Sequence, residues 1–330
     1  MSQISYDQWL ARRCGLPEGF SQAQLDAWQL AALRQRALYA FAHSRFYREL
    51  YAGIDLPRAA PGELPLISGE DIARAGTAMA CLSQTSIQRI VTMETSGSTG
   101  LPKRIYFSAA DLELTVDFFA QGMTYMVSPG DKVLICMPGH NPDGLNDLLS
   151  RGLRRINVEP CYYGLVSDLA DAATTIRAYR PDCIVAIPGQ MLALAESAPD
   201  LRPPRLLLSA DNVPDELRRR IEDLWHTEVF AHWGMRETGL GGAVECGEHQ
   251  GYHIRHADLL LEIVDPLSGR ALPDGQRGEL VISTFNREAM PLLRYRTGDI
   301  AHLIAAPCGC GSGLKRLGPV QGHKLMEVIR

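Results

Sequence analysis

Long hydrophobic runs are missing from this sequence of 330 residues. No stretch of about 18 apolar residues is present to cross a bilayer, and no charged-then-apolar leader opens the chain. An excess of positive charge is missing too: 33 Lys and Arg stand against 38 Asp and Glu, a formal −5 at pH 7. A general nucleic-acid binder needs a basic surface to neutralise phosphates, so the balance argues against that class while leaving room for a local basic pocket. Internal repeats and low-complexity tracts are also absent. The expectation is a cytoplasmic protein with no nucleic-acid or membrane partner. What is present fits a globular enzyme-sized chain. Hydrophobic residues make up 46% and charged residues 22%, enough to bury a sizeable core. This length admits one large α/β unit or two domains.

Eight cysteines occur, at 14, 81, 136, 161, 183, 246, 308 and 310. A chain this large and apolar does not need a disulfide framework. Cys136 and Cys183 lie inside apolar runs and read as small buried hydrophobes. Cys308-Gly309-Cys310 does not fit that reading.

Residues from about Ser21 to Leu50 carry an almost unbroken helical pattern, with Ser21 as its N-cap. Pro57, Pro61 and Pro65 then mark a connecting stretch. From about residue 89, strand-like runs at Arg89–Met93, Lys132–Met137, Cys183–Ile187, Arg205–Ser209 and Glu228–Ala231 appear. They alternate with helical segments at Ala109–Met126, Val166–Tyr179 and Pro214–Trp225. That alternation predicts an α/β fold with a mostly parallel, helix-covered sheet. After about residue 240 the helical pattern stops, and Asp258–Val264, Gly278–Thr284 and Asp299–Ile304 read as strands. The expected division is therefore an α/β nucleotide- and acyl-binding region at 1–240 and a smaller β-rich subdomain at 241–330.

The sharpest local feature is Thr95-Ser96-Gly97-Ser98-Thr99-Gly100-Leu101-Pro102-Lys103. Two glycines free backbone N–H groups, hydroxyls add donors, and Lys103 adds a positive charge, a combination suited to a triphosphate tail. It is not a P-loop, which needs Lys directly after the second glycine and then a helix. Here Leu101-Pro102 intervenes and Arg104-Ile105-Tyr106-Phe107 reads as a strand. A solvated Gly/Ser linker is the bland alternative for this loop taken alone.

Two further strings lie downstream. These are His232-Trp233-Gly234-Met235-Arg236-Glu237-Thr238-Gly239 and Tyr295-Arg296-Thr297-Gly298-Asp299. In that order with the glycine loop, they resemble the three signatures of the adenylate-forming superfamily of acyl- and aryl-CoA synthetases. Ser44-Arg45-Phe46-Tyr47-Arg48, Leu64-Pro65-Leu66-Ile67 and the Cys-Gly-Cys-Gly segment are similar to the phenylacetate-CoA ligase branch.

The resemblance implies ATP-dependent adenylation of a carboxylic acid, aryl or arylacetic, with release of pyrophosphate. Transfer to CoA or a carrier-protein thiol would follow. It places the phosphates at Thr95, Ser96, Gly97, Ser98, Thr99, Gly100 and Lys103, with Mg²⁺ on Glu237 and a phosphate contact at Thr238. Ser209-Ala210-Asp211 would run along the adenine, with an N-cap before Pro214 as an equally good role. Trp233, with Gly234 and Met235, would wall the base or the acyl pocket, or serve as a core aromatic. Asp299 would accept from both ribose hydroxyls, with Arg316 reaching the same sugar. Gly139–Gly144 is a candidate acyl wall, with His140 more simply a loop residue at a helix start.

Cys246, His253, Cys308 and Cys310 form a Cys₃His set suited to tetrahedral Zn²⁺, and some members of the branch carry zinc at matching positions. His249 and His256 compete as fourth ligand, and unpaired thiols are the plain alternative. Four protein ligands would make the ion structural.

Full-length members carry a C-terminal domain of roughly 100 residues that delivers a catalytic lysine. This chain ends 31 residues beyond Asp299, so that domain is expected to be absent. Gly322-His323-Lys324-Leu325-Met326 stands near the place of the family hinge without its acidic pair. The competing expectation is a non-catalytic ATP/AMP-binding protein, or one whose partner supplies the missing part. The sequence does not decide between monomer and homodimer.

Overall fold

The computed structural model describes residues 4–93 and 102–322, so the glycine-rich loop 95–100 lies outside the described residues. The chain begins with helices α1 (Tyr6–Cys14), α2 (Gln22–His43) and α3 (Arg45–Leu50). Ser21 caps α2 as expected, its hydroxyl accepting from the Gln24 N–H. The single helix expected to run on to Leu50 is instead two, broken at Ser44. That residue is extended, and its side chain accepts from the Tyr47 N–H while donating to the Ala78 carbonyl. A serine offered two such partners competes with the helical backbone. Helix α4 (Gly69–Ala75) leads to strands β1 (Arg89–Met93) and β2 (Lys103–Phe107), an antiparallel pair in which Met93 faces Lys103.

Helix α5 (Ala109–Met123) opens the alternating region. There follow β3 (Lys132–Cys136), α6 (Leu145–Arg155), β4 (Glu159–Tyr162), α7 (Leu169–Tyr179) and β5 (Cys183–Ala186). Next come α8 (Pro188–Ser197), β6 (Arg205–Leu208), α9 (Asp215–Trp225) and β7 (Glu228–Trp233). The remaining strands are β8 (Ala243–Glu245), β9 (Tyr252–Ile254), β10 (Leu259–Val264), β11 (Gly278–Thr284), β12 (Tyr295–Ala301), β13 (Leu303–Ile304) and β14 (Arg316–Leu317). Among the described residues no α-helix follows Trp225, and none is long and apolar enough to cross a membrane.

Compactness divides the chain into two units that do not follow a single cut near 240. The first holds the described residues up to Leu114, Arg236–Gly239 and those from Ile254 onward; the second holds Thr115–Met235 and Leu240–His253.

In the second unit the strand order is β4-β3-β5-β6-β7-β8-β9, parallel from β4 to β7 and antiparallel at β8. The chain leaves β3 for β4 on one side and returns to β5 on the other. Loops at the carboxyl ends of the strands beside such a reversal form a crevice. All four residues of β5 are buried, as a parallel strand covered on both faces requires. Ile184, Ala186, Leu206 and Leu208 pack with Met191, Leu194, Ile221 and Trp225. The Trp225 indole N–H donates to the Ala198 carbonyl at 2.9 Å. Val185 and Leu207, on the opposite face, line a cavity with Phe118, Phe119 and Leu149. Five elements of this unit, α6, β4, α8, β8 and β9, lie outside the segments that the sequence pattern picks out. Strand β4 is an edge strand of only four residues, Glu-Pro-Cys-Tyr, and a proline is tolerated there because one side of the strand is unpaired.

In the first unit β10, β11 and β12 form an antiparallel sheet. The last expected strand, Asp299–Ile304, starts earlier, because Tyr295 and Arg296 already pair with Ile282 and Val281. The N-terminal helices brace this sheet. Tyr47 donates from its hydroxyl to the Pro291 carbonyl and accepts from the Leu293 N–H, and buried Gln29 donates to the carbonyls of His256 and Leu259.

Within the second unit α5 and α6 approach closely at Gly152, where an added Cβ would lie 3.0 Å from Ala120 N and Val116 O and 3.1 Å from Phe119 Cβ. Backbone atoms cannot yield as a flexible side chain can. Gly152→Ala is therefore expected to lower unfolding stability by about 1–3 kcal/mol, read from the urea midpoint. An unchanged midpoint would show that the helices separate freely there.

Candidate active site

Three side chains from distant parts of the sequence meet inside the first unit. Lys103, the first residue of β2, donates from Nζ to Glu237 Oε1 and to the Tyr295 hydroxyl at 3.0 Å. The Tyr295 hydroxyl in turn donates to the same Glu237 oxygen at 3.1 Å. Glu237 stands in a single 3₁₀ turn, Arg236–Thr238, and is 3% exposed. Burial, reinforced by the neighbouring Glu237 carboxylate, pushes the Tyr295 phenol far above its ordinary value, so it remains a donor. Oε2 of Glu237 accepts no hydrogen bond from the described residues. Lys103 is thus held by an acid and a phenol, not free in solvent as a lysine beside a glycine loop would be expected to be.

Arg287, buried with its guanidinium carbon 4.6 Å from the centre of the Phe107 ring, belongs to the same unit. Burial lowers its pKa to about 10, with Asp111 and Glu237 acting in the opposite sense, so it stays charged at neutral pH. Thr238 is buried, and its carbonyl accepts from Arg255 at 3.5 Å.

Tyr295-Arg296-Thr297-Gly298-Asp299 lies in strand β12 and contains a bulge. Glu279 pairs with Ile300 and Val281 with Arg296, so Leu280 alone faces Thr297, Gly298 and Asp299. Gly298 has φ +78°, a left-handed conformation that glycine adopts without steric penalty. Thr297 stabilises the bulge by donating from its hydroxyl to the Leu280 carbonyl at 2.7 Å and accepting from the Asp299 N–H at 3.0 Å. Leu64-Pro65-Leu66-Ile67 braces the start of the strand. Ile67 bridges Tyr295, donating to the Arg294 carbonyl and accepting from the Arg296 N–H. Asp299 is 8% exposed. Arg316, on β14, donates to the carbonyls of Ala306 and Pro307.

In the second unit Ser209, Ala210 and Asp211 follow the carboxyl end of β6. Ala210 takes φ +71°, and the Asp211 carboxylate accepts from the Asn212 N–H at 2.7 Å. Ser209 Oγ lies 3.1 Å from His232 Nδ1. His232 and the buried Trp233 end strand β7, followed by Gly234 and Met235. An apolar cavity of about 40 Å³ lies at these strand ends, lined by Phe118, Met123, Met137, Leu145, Ser209 and His232 among others. Its wall near the 139–144 loop is made by the flanking Met137 and Leu145. His140 is exposed and stacks on Tyr162 at 4.7 Å.

Cys246 and His253 belong to the second unit, where both are buried and His253 stacks on Tyr125 at 5.3 Å. Cys308 and Cys310 belong to the first, on a turn closed by Gly311 N–H to Cys308 O at 3.0 Å. The two other histidines weighed beside them are engaged elsewhere. His249 sits between Glu245 and Glu228, and His256 lies 3.0 Å from the Lys315 carbonyl. Tyr295, His232 and Arg287 are the residues that sequence reasoning did not assign. The first two stood inside quoted motifs, but no spacing signal indicates which way their side chains turn.

A parallel sheet with its loops and cavity at the carboxyl ends, and a β-rich unit carrying a buried acid–lysine–tyrosine cluster, define the adenylate-forming ligase fold. The 2-hydroxyisobutyryl-CoA ligase, solved with its acyl-adenylate and CoA, superposes with a TM-score of 0.81 at 21% identity, covering 94% of this chain and 76% of its own. The chain belongs to the AMP-binding enzyme family, whose model matches residues 87–286. Phenylacetate-coenzyme A ligase of Thermus thermophilus is 28% identical over 93% of this chain and 72% of its own length. The ligase of the same name from Pseudomonas putida is 29% identical over 89% and 70%.

Breaking a buried ion pair from one side leaves an uncompensated charge. Lys103→Met is expected to cost about 3–5 kcal/mol of stability. Adding Glu237→Gln to that variant should restore most of the loss. A denaturation double-mutant cycle measures this, and strictly additive losses would show that the two residues are not coupled.

Proposed function

We propose that this enzyme adenylates a carboxylic acid and passes the acyl group to CoA. In the first step a carboxylate oxygen attacks the α-phosphorus of ATP. The bond from that phosphorus to the bridging oxygen breaks, giving acyl-AMP and pyrophosphate. In the second, the CoA sulfur attacks the acyl carbon, AMP leaves with its oxygen, and the thiol proton is released. The phenylacetate-CoA ligase relatives support an aryl or arylacetic acid as substrate.

The observation that carries this reading is the Lys103–Glu237–Tyr295 cluster. It joins the lysine that follows the glycine loop to the acid of the second signature and the tyrosine of the third. Lys103 is a cation for the polyphosphate, released from Glu237 when phosphate oxygens take its place. Thr95, Ser96, Gly97, Ser98, Thr99 and Gly100 are assigned with it to the phosphates, and the Thr238 hydroxyl to a phosphate contact. Glu237 fits Mg²⁺, because its second oxygen is a hard donor not taken by other described residues. When bound, that ion would neutralise charge on the departing pyrophosphate.

Ser209, Ala210, Asp211, Trp233, Gly234 and Met235 are assigned to the adenine. Asp299, turned by its bulge, is assigned to the ribose hydroxyls, with Arg316 the weaker partner because carbonyls already hold it. The apolar cavity at the ends of β6 and β7 receives the acyl body. Cys246, His253, Cys308 and Cys310 are assigned to one structural Zn²⁺. Three thiols and one imidazole suit that ion's preference for soft and borderline ligands, and the set leaves no open position for catalysis.

Pyrophosphate–ATP exchange across a panel of aryl and arylacetic acids tests the reaction. Exchange is expected only with acid present, and Glu237→Ala should reduce it by about 10²–10³. ATP binding without exchange for any acid would refute the assignment and favour a binding protein. Elemental analysis should find about one zinc per chain. Metal-free protein in which Cys308→Ser leaves the melting temperature unchanged would refute the zinc assignment.

A further inference from the structure

The ring of His232 lines the apolar cavity of the second unit, and one of its two nitrogens is buried without a partner among the described residues. His232 Nδ1 is engaged by Ser209 Oγ at 3.1 Å, while Nε2 is buried and has no hydrogen-bond partner among the described residues. The ring lines the cavity together with Phe118, Phe119, Met123, Leu207 and Val244. Burial alone drives its pKa to about 4, so the imidazole is neutral at physiological pH. A neutral imidazole has one N–H and one bare nitrogen. The Ser209 hydroxyl can donate to Nδ1 or accept from it, so Nε2 is left as an unpaired acceptor or an unpaired donor on a ring that lines the cavity.

A buried polar atom with no partner is costly, and the cost is removed when something entering the cavity completes the bond. The other side chains named here are apolar, and the cavity is small, about 40 Å³. A wholly apolar group entering it would leave Nε2 unpaired. A charged substituent would be buried with no counter-charge on this neutral ring. A hydroxyl both donates and accepts, so it pairs with Nε2 in either tautomer.

We propose that His232 selects substrates whose compact apolar body carries one neutral hydroxyl, in preference to the unsubstituted acid. This rests on the adenylation reading and on the cavity as acyl site. It makes His232 a specificity residue positioned by Ser209, with no part in the adenylation chemistry.

The test compares matched pairs, phenylacetic and benzoic acids against their ortho-, meta- and para-hydroxy forms, by kcat/KM in pyrophosphate–ATP exchange. In the wild-type enzyme at least one hydroxylated acid is expected to exceed its parent about tenfold or more, a site built around a hydrogen bond discriminating against the analogue that lacks it. His232→Leu should bring that ratio to one or below while still exchanging with the parent acid. His232→Gln, which keeps a donor and an acceptor, should restore part of the preference. Calorimetric binding of the same acids reads the selection without turnover. A wild-type preference for the parent in every pair, or a hydroxyl preference that survives His232→Leu, would overturn the inference. Exchange that needs no acid would instead overturn the adenylation reading, leaving the binding comparison to judge His232.

Discussion

The shared proton network of Lys103, Tyr295 and Glu237 is the constraint around which the first unit is arranged. Two donors converge on one oxygen of a carboxylate almost wholly withdrawn from water. Without Lys103 that charge would be stranded, and without Tyr295 the lysine would lose its second partner. The network fixes the end of β2 against a 3₁₀ turn and against the first residue of β12. The surrounding structure then holds those three backbones in place. Ile67 brackets Tyr295 through the hydrogen bonds of its neighbours, and Tyr47 ties down the segment just before it. The N-terminal helices are therefore part of the site's support even though they supply none of its chemistry.

The second unit solves a different problem. Its central parallel strands are buried on both faces, so their polar loops emerge only at the ends. Ser209 and His232 stand where β6 and β7 terminate, beside a cavity whose other walls are apolar. The imidazole that lines this cavity is neutral because burial disfavours its charged form. The lysine–acid–tyrosine cluster thus belongs to the first unit, and the apolar cavity with its Ser209–His232 contact to the second.

Much of the site could be read from the sequence because signature residues cluster along the chain. Lys103 follows the glycine loop, Glu237 and Thr238 stand in one string, and Asp299 closes another. Strands such as Arg89–Met93 and Gly278–Thr284 have the predicted bounds, since uninterrupted β-branched and apolar runs leave little choice. Strand β4 was not legible, because a four-residue edge strand holding proline carries no periodic signal. The break at Ser44 was hidden as well: serine sits comfortably in a helical pattern until Ala78 offers its carbonyl.

By itself, then, the sequence determined the class of chemistry, the helix-and-strand alternation and the position of the three signature strings, because these depend on residue type and local spacing. Tertiary structure alone decided that Lys103 is clamped by Tyr295 and Glu237, that a bulge facing Leu280 turns Asp299, and that His232 lines an apolar cavity. Each of these rests on side-chain direction and on partners that are distant along the chain. Burial then converts that proximity into energy, by taking away the water that would otherwise satisfy every one of those polar groups.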